Sequence, residues 1–316
     1  MLKPAAVIAA AALDPHGLGW RGLRFGPGAA VIPPGRDAGD GRQRKLMSRA
    51  ARLGAVVARE ALAEAGLDAA ARAEMGCFYG VGASGAGMDE LGALVRASAD
   101  DRGAFSLERC GRAGLGAATP LFAFQIMNNF TMCHAAILAG MAGPNAALFS
   151  RGAGTVHALR EALWSLTEGD CHHALVGAAD SALHPVTAAE LTREGWNARG
   201  HIAGEGAAAL VLAREADRPL AWITAAEVRP NQDDLRAADL VVAAPWGHPA
   251  MQHLDIIAQK MSAPIKSLAA DALAASPALA WVTALDALVA GTATSALVLS
   301  NGIDGDLTAT RLESPR

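Results

Sequence analysis

The chain has 316 residues, 52% of them hydrophobic, with 27 basic and 31 acidic side chains and a net charge of −4. This is enough for a large buried core, as one big domain or two related halves. The near-even charge argues against a dedicated nucleic-acid binder and gives no reason to expect a membrane surface. Cys77, Cys110, Cys133 and Cys171 stand far apart without a CxxC. That spacing speaks against a disulfide framework or a zinc site and makes a reducing cytosol the simplest compartment.

Lys3 followed by Ala5–Leu13 has the outline of a secretory signal, but the run follows Pro4 and ends in Asp14-Pro15 rather than at a processing site. A first buried strand is expected instead. No run approaches the roughly 20 apolar residues of a membrane span, so a soluble protein is expected. Residues 14–44, rich in Gly, Pro and Arg, read as a surface loop. Leu46, Ala50, Leu53, Val57 and Ala61 keep helical spacing, and Gly66 closes that helix. Met75–Val81 predicts a strand. Gly80, Gly82 and Gly85 then match GxGxxG, a motif that means little without an acidic ribose partner; chance or tight packing accounts for it. Residues 86–117 read as helix and loop, Pro120–Met127 as an apolar, aromatic segment, and Asn129–Ala139 as a short helix.

Gly143–Asp180 organises the rest. Residues 146–150 predict a short strand after a Gly-Pro-Asn turn, and Gly152 and Gly154 permit a sharp reversal. Val156, Leu159, Leu163 and Leu166 mark the buried face of a helix that Gly169 closes, and His173–Ala178 is the next strand. Such a turn, at a helix N-terminus, is where many enzymes place a nucleophile. Its apex, Ser150-Arg151-Gly152-Ala153-Gly154, holds no obvious attacking group. A polar, turn-rich passage to Arg199 follows. Strands are then expected at Ala207–Leu212, Ala221–Val228 and Leu240–Ala244, a helix at His253–Met261 and a short extended piece at Ala263–Lys266.

The end of the chain repeats its centre. Residues 162–176 align without gaps on 284–298 at a constant offset of 122, with seven identities. Two related α/β halves with near-continuous apolar strands follow from this.

Four segments carry a family resemblance. The GPN-strand-turn-helix stretch resembles the nucleophile region of the β-ketoacyl synthases, in the thiolase superfamily. EGDCHHALVGAAD is similar to their GxxxxALVGG strand. GHIAGEGAAALVL is similar to GFxxGEGAxxLVLE, and RKLMSRAARLGAVVAREALAEAGL to their first long helix. The resemblance is specific across about 45–215 and traceable from 240 to 300, with the passage between Leu212 and Leu240 cut short. It implies a thiolase-like fold of two pseudo-duplicated halves in αβαβα layers, divided at 1–215 and 216–316.

Such enzymes hold the acyl chain on a cysteine, use two histidines to decarboxylate and polarise the malonyl unit, and have an assisting lysine. On this chain the family's TACASG falls on Ser150–Thr155, which puts Gly152 at the cysteine. HGTGTPAND falls on Ala244–Gln252, with Ala244 at the first histidine. KSxxGH falls on Lys266–Asp271, with Asp271 at the second. Lys266 alone is retained. Glycine cannot form an acyl-enzyme, alanine cannot donate to an enolate oxygen, and an aspartate brings the wrong charge to a site that must stabilise an anion.

The expectation is therefore a silent subunit resembling the chain-length factors of type II polyketide and aryl-polyene pathways. It would pair with a catalytic β-ketoacyl synthase as a cytoplasmic heterodimer, meet acyl carrier protein through that partner, and need no cofactor or metal. Phe122, Phe124 and Met127 fall where relatives face the partner's acyl tunnel, or else they pack the chain's own core. The other candidates have plainer readings. Adjacent strand positions split Cys171, His172 and His173 between faces. Cys133-His134 reads as packed, and His157 as packing against the neighbouring half. Ser150 and His248 could form a substitute dyad. Arg42, Arg44, Lys45, Arg49 and Arg52 could meet an acidic carrier or form a solvated helix face. An acyltransferase or hydrolase with relocated chemistry, and a homodimeric scaffold, are the alternatives.

Overall fold

A computed structural model describes residues 2–83, 85–149, 153–244, 248–301 and 306–315, the side chains of 248–253 excepted. Strand β1 (Ala5–Asp14) leads through the long loop to helix α1 (Arg49–Ala65) and strand β2 (Gly76–Val81). Helices α2 (Met88–Ser98), α3 (Phe122–Ile126) and α4 (Phe130–Ala139) precede strand β3 (Asn145–Phe149). Helix α5 (Gly154–Glu168), strand β4 (His173–Ser181), helix α6 (Pro185–Arg193) and strand β5 (Glu205–Ala213) complete the first half. The second half holds β6 (Ala221–Val228), β7 (Leu240–Ala244), α7 (His248–Lys260), β8 (Ile265–Ser267), α8 (Ser276–Val289), β9 (Ser295–Asn301) and β10 (Leu307–Glu313).

The strand order displays the duplication. From β1 the first set runs β1-β5-β4-β2-β3, and from β6 the second runs β6-β10-β9-β7-β8. In both, the first two pairings are antiparallel and the last two parallel. A short antiparallel contact of Ala5–Val7 with Ala221–Ile223 joins the sets edge to edge. The sequence repeat marks true equivalents. Helices α5 and α8 start at 154 and 276, and strands β4 and β9 start at 173 and 295, both pairs 122 apart.

The layers follow from which faces are apolar. Helices α1 and α4 cover one face of the first sheet, burying Leu53, Val57 and Met132 against Leu13, Tyr79 and Val211. Helices α5 and α8 lie between the sheets, and each packs on strands of both halves. Helix α7 covers the far face of the second sheet over Val241, Leu299 and Ala309. The result is the expected αβαβα stack.

Two local readings change. The polar passage after Asp180 contains a helix, α6, because His184-Pro185 places proline at its first turn, where the missing N–H costs nothing. The helix expected from His253 begins five residues earlier, at His248. No helix among the described residues is long and apolar enough to cross a membrane.

Candidate functional site

Helix α5 begins at Gly154, two residues after Gly152 in the sequence. Residues 150–152, and with them Ser150 and Gly152, lie outside the described residues, as does the side chain of His248. The groups beside the start of α5 are described. Thr155, fully buried in the first turn of α5, donates its Oγ1 hydrogen to the carbonyl of Ala274. Asp180, buried at the end of β4, accepts from Ser181 N (2.8 Å) and Ala274 N (3.2 Å). The motif-like glycines are packing residues: a Cβ at Gly80 would lie 2.0 Å from Thr155 Oγ1, and one at Gly82 1.6 Å from Asp180 Oδ2. The end of β2 and the loop after it can approach α5 and β4 this closely only because Gly80 and Gly82 lack side chains.

The two positions that the resemblance assigns to the family's histidines, Ala244 and Asp271, are both buried. Ala244 ends β7 with its methyl in the central core. Asp271 is 3% exposed. Its carboxylate accepts from Leu273 N (2.8 Å), Ser276 Oγ (2.6 Å) and the His201 ring Nε2 (3.1 Å). Its backbone bonds Ile202 O (2.8 Å) and Gly204 N (2.9 Å). Asp271 thus clamps the strand entering β5 to the turn entering α8. Leu273, held in that turn at φ +54, sits in a left-handed conformation that a leucine adopts only under such constraint.

His201 was not singled out from the sequence, although a signal existed. In GHIAGEGA it stands where the family pattern has phenylalanine. Two substitutions relative to the pattern, at 201 and 271, therefore meet in one buried contact. Lys266, the retained member, lies exposed on the edge strand β8, with its Cα opposite Val242. The carboxylate of Asp271 is taken up by internal donors, Ala244 contributes only a methyl, and neither can support an enolate oxygen.

The remaining candidates fall as follows. Phe122 is buried in a small cluster of its own chain with Ala86 and Leu94, whereas Phe124 and Met127 are exposed. Phe124 stacks edge-on against Phe130 at 5.0 Å. Burial, the largest cause in each case, pushes the thiols of Cys77, Cys133 and Cys171 above their usual range. Buried, protonated thiols are poor nucleophiles. His134 and His173 are pushed toward the neutral form by the same desolvation. Cys171 is buried and His172 exposed, but both precede β4, which begins at His173, so strand alternation is not the cause. His157 is half-buried beside Arg160, Glu161 and Trp164 on the outer side of α5. Of the basic stretch, Arg49 pairs with buried Glu205 (2.6 Å), and Arg52 and Arg44 with Asp37. Among the described residues no group of three or more His, Cys, Asp or Glu side chains could hold a metal ion.

Comparison with known proteins bears on the fold. Several solved structures superpose over 100% of this chain. A ketosynthase/chain length factor for ishigamide gives a TM-score of 0.77 at 15% identity, with 100% of that chain covered. A β-ketoacyl synthase from Burkholderia phymatum STM815 gives 0.76 at 15% identity, also with 100% covered. A type II polyketide synthase acyl-carrier protein in complex with its ketosynthase, bound to the hexaketide, gives 0.75 at 15% identity and again 100%. At such identity the likeness establishes a thiolase-like ketosynthase fold. No curated protein matches the chain. The N-terminal domain of β-ketoacyl synthases matches residues 27–218, more than half of the sequence, and the chain belongs to the β-ketoacyl synthase family.

Proposed function

We propose that the chain is a non-catalytic, chain-length-factor-like subunit that pairs with a catalytic β-ketoacyl synthase in polyketide, aryl-polyene or fatty acid biosynthesis. The observation that carries this reading is the pair of histidine positions: Ala244 is a core methyl, and Asp271 is consumed as a buried clamp. Gly152 at the cysteine position points the same way.

A partner is motivated by the edge at β3. This strand pairs only with β2 among the described residues, and Phe149 at its end is 54% exposed. Such an edge invites pairing with another chain. Phe124, Ile126 and Met127 add exposed apolar surface on α3 and at its C-terminal end. On this reading the partner is a ketosynthase in the cytoplasm, acyl carrier protein is met through it, and residues 1–215 and 216–316 are the two halves.

The test is reconstitution with a catalytic ketosynthase subunit and measurement of product length. Phe124→Ala and Met127→Ala are expected to lengthen the products of an intact complex. Phe122→Ala removes a buried ring at a cost of about 3–5 kcal/mol, so complex integrity is measured alongside. Unchanged product lengths from intact complexes of all three variants would contradict the proposal.

A further inference from the structure

A cavity of about 150 Å³ opens between α1 and α4, on the opposite side of the first sheet from α5. Its floor is apolar, from Ala55 and Leu62 of α1 and Leu138 and Ala139 of α4, and its walls carry Arg59 and Arg72.

Two carboxylates near this cavity are each shared between two arginines. Glu60 is shared by Arg59 (2.9 Å) and Arg36 (3.3 Å). Asp37 is shared by Arg52 (2.5 Å) and Arg44 (3.9 Å). Asp68, one turn before Arg72, is engaged as a helix cap on Ala71 N (2.8 Å). The Arg72 side chain has no hydrogen-bond or ion-pair partner among the described residues, and its Nε is buried without an acceptor. A buried donor left unpaired is costly, which favours any acceptor that can reach it. A guanidinium fork suits a planar carboxylate.

We propose that this cavity binds a short aliphatic carboxylate. The carboxylate meets Arg72, and the methylene tail lies on Ala55, Leu62, Leu138 and Ala139. A cavity near 150 Å³ accommodates about six heavy atoms, the size of a benzene ring, which makes butyrate the fitting probe.

Calorimetric titration of the full chain with sodium butyrate tests this, with butyramide and sodium phosphate as comparison arms. Expected is saturable butyrate binding with a dissociation constant on the order of millimolar, as suits so small a ligand. Butyramide and phosphate bind at least about tenfold more weakly, since one lacks the charge and the other the tail. Arg72→Gln weakens butyrate about tenfold or more with the unliganded melting temperature retained. Ala139→Leu, which fills the floor and leaves both arginines, also abolishes butyrate binding and serves as an independent route should Arg72→Gln disturb the fold. No saturable butyrate heat, undiminished binding by both variants, or phosphate binding as tightly as butyrate would each overturn the proposal.

Discussion

The two halves share one strand order but not one coat. Between β1 and β2 the first half inserts residues 15–75, which include α1, and with α4 this covers the outer sheet face. Between β6 and β7 the second half has only residues 229–239, and α7 alone lies outside. The strands record the difference. Strand β5 reads EGAAALVLA and is buried at every position, whereas its counterpart β10 reads LTATRLE and emerges at Arg311 and Glu313. There Arg311 donates to Glu313 (2.8 Å) and to the carbonyl of Ala237 (2.9 Å), beside an open hollow of about 540 Å³. A strand covered on both faces becomes continuously apolar, and one that loses a cover returns to alternation.

The central layer shows the opposite bias. Helix α8 is buried from Ser276 through Leu285, while its equivalent α5 exposes Trp164 by 56%. Trp281→Ala in α8 is expected to cost about 3–5 kcal/mol in denaturant unfolding. Trp164→Ala in α5 should stay within about 0.5 kcal/mol. Similar losses from both would show that the two helices are not buried as unequally as described.

The contact between the halves at 201 and 271 comes next in size. Asp271→His should lower stability by about 2–3 kcal/mol, because Leu273 N and Ser276 Oγ lose their acceptor. Adding His201→Phe, which restores the family pattern at both positions, should recover at least about 1 kcal/mol through coupling. Strict additivity in that cycle would mean the two substitutions are independent.

Ion pairs sharpen the comparison further. Glu205 is buried against Arg49 in the first half, and Glu205→Gln should cost about 1–2 kcal/mol, less than a fully buried pair because Arg49 is partly exposed. Arg229, exposed beside Asp306 in the second half, should tolerate alanine without measurable change. The smallest effect concerns Asp239 before β7. Hydrogen bonds, first from the Thr294 side chain and then from the Thr294 and Ser295 backbone, hold its carboxyl below the ordinary range. That stabilisation is present above the unfolded carboxyl value, about 3.9, and is lost as pH falls through the lower folded value. Asp239→Asn should therefore flatten the acid limb of a stability–pH profile; an unchanged limb would contradict this.

Much of the fold was legible because its strands are apolar runs closed by glycines. β6 and β7 fall on the residues expected, and the offset of 122 marked equivalent elements before any pairing was known. Strand β10 was not read, since Thr, Arg and Glu interrupt its apolar pattern, and α6 was hidden by polar residues despite Pro185 at its start. At the site, the family resemblance made losses at Gly152, Ala244 and Asp271 an expectation legible in the sequence. What replaced them was not, because the partners of Asp271 include His201, 70 residues away, and only the packed halves bring the two together. Phe122 looked equivalent to Phe124 in sequence. Burial separates them, for a spacing of two residues is about half a turn of helix and directs them to opposite sides.

The central claim is that this chain carries no acyl-transfer chemistry of its own. Intact-mass spectrometry of the purified chain after incubation with an acyl-loaded carrier protein tests it most directly. The account predicts an unchanged mass, because the family resemblance puts Gly152, Ala244 and Asp271 at the three catalytic positions. A stoichiometric acyl adduct mapped to any residue of the chain would contradict it.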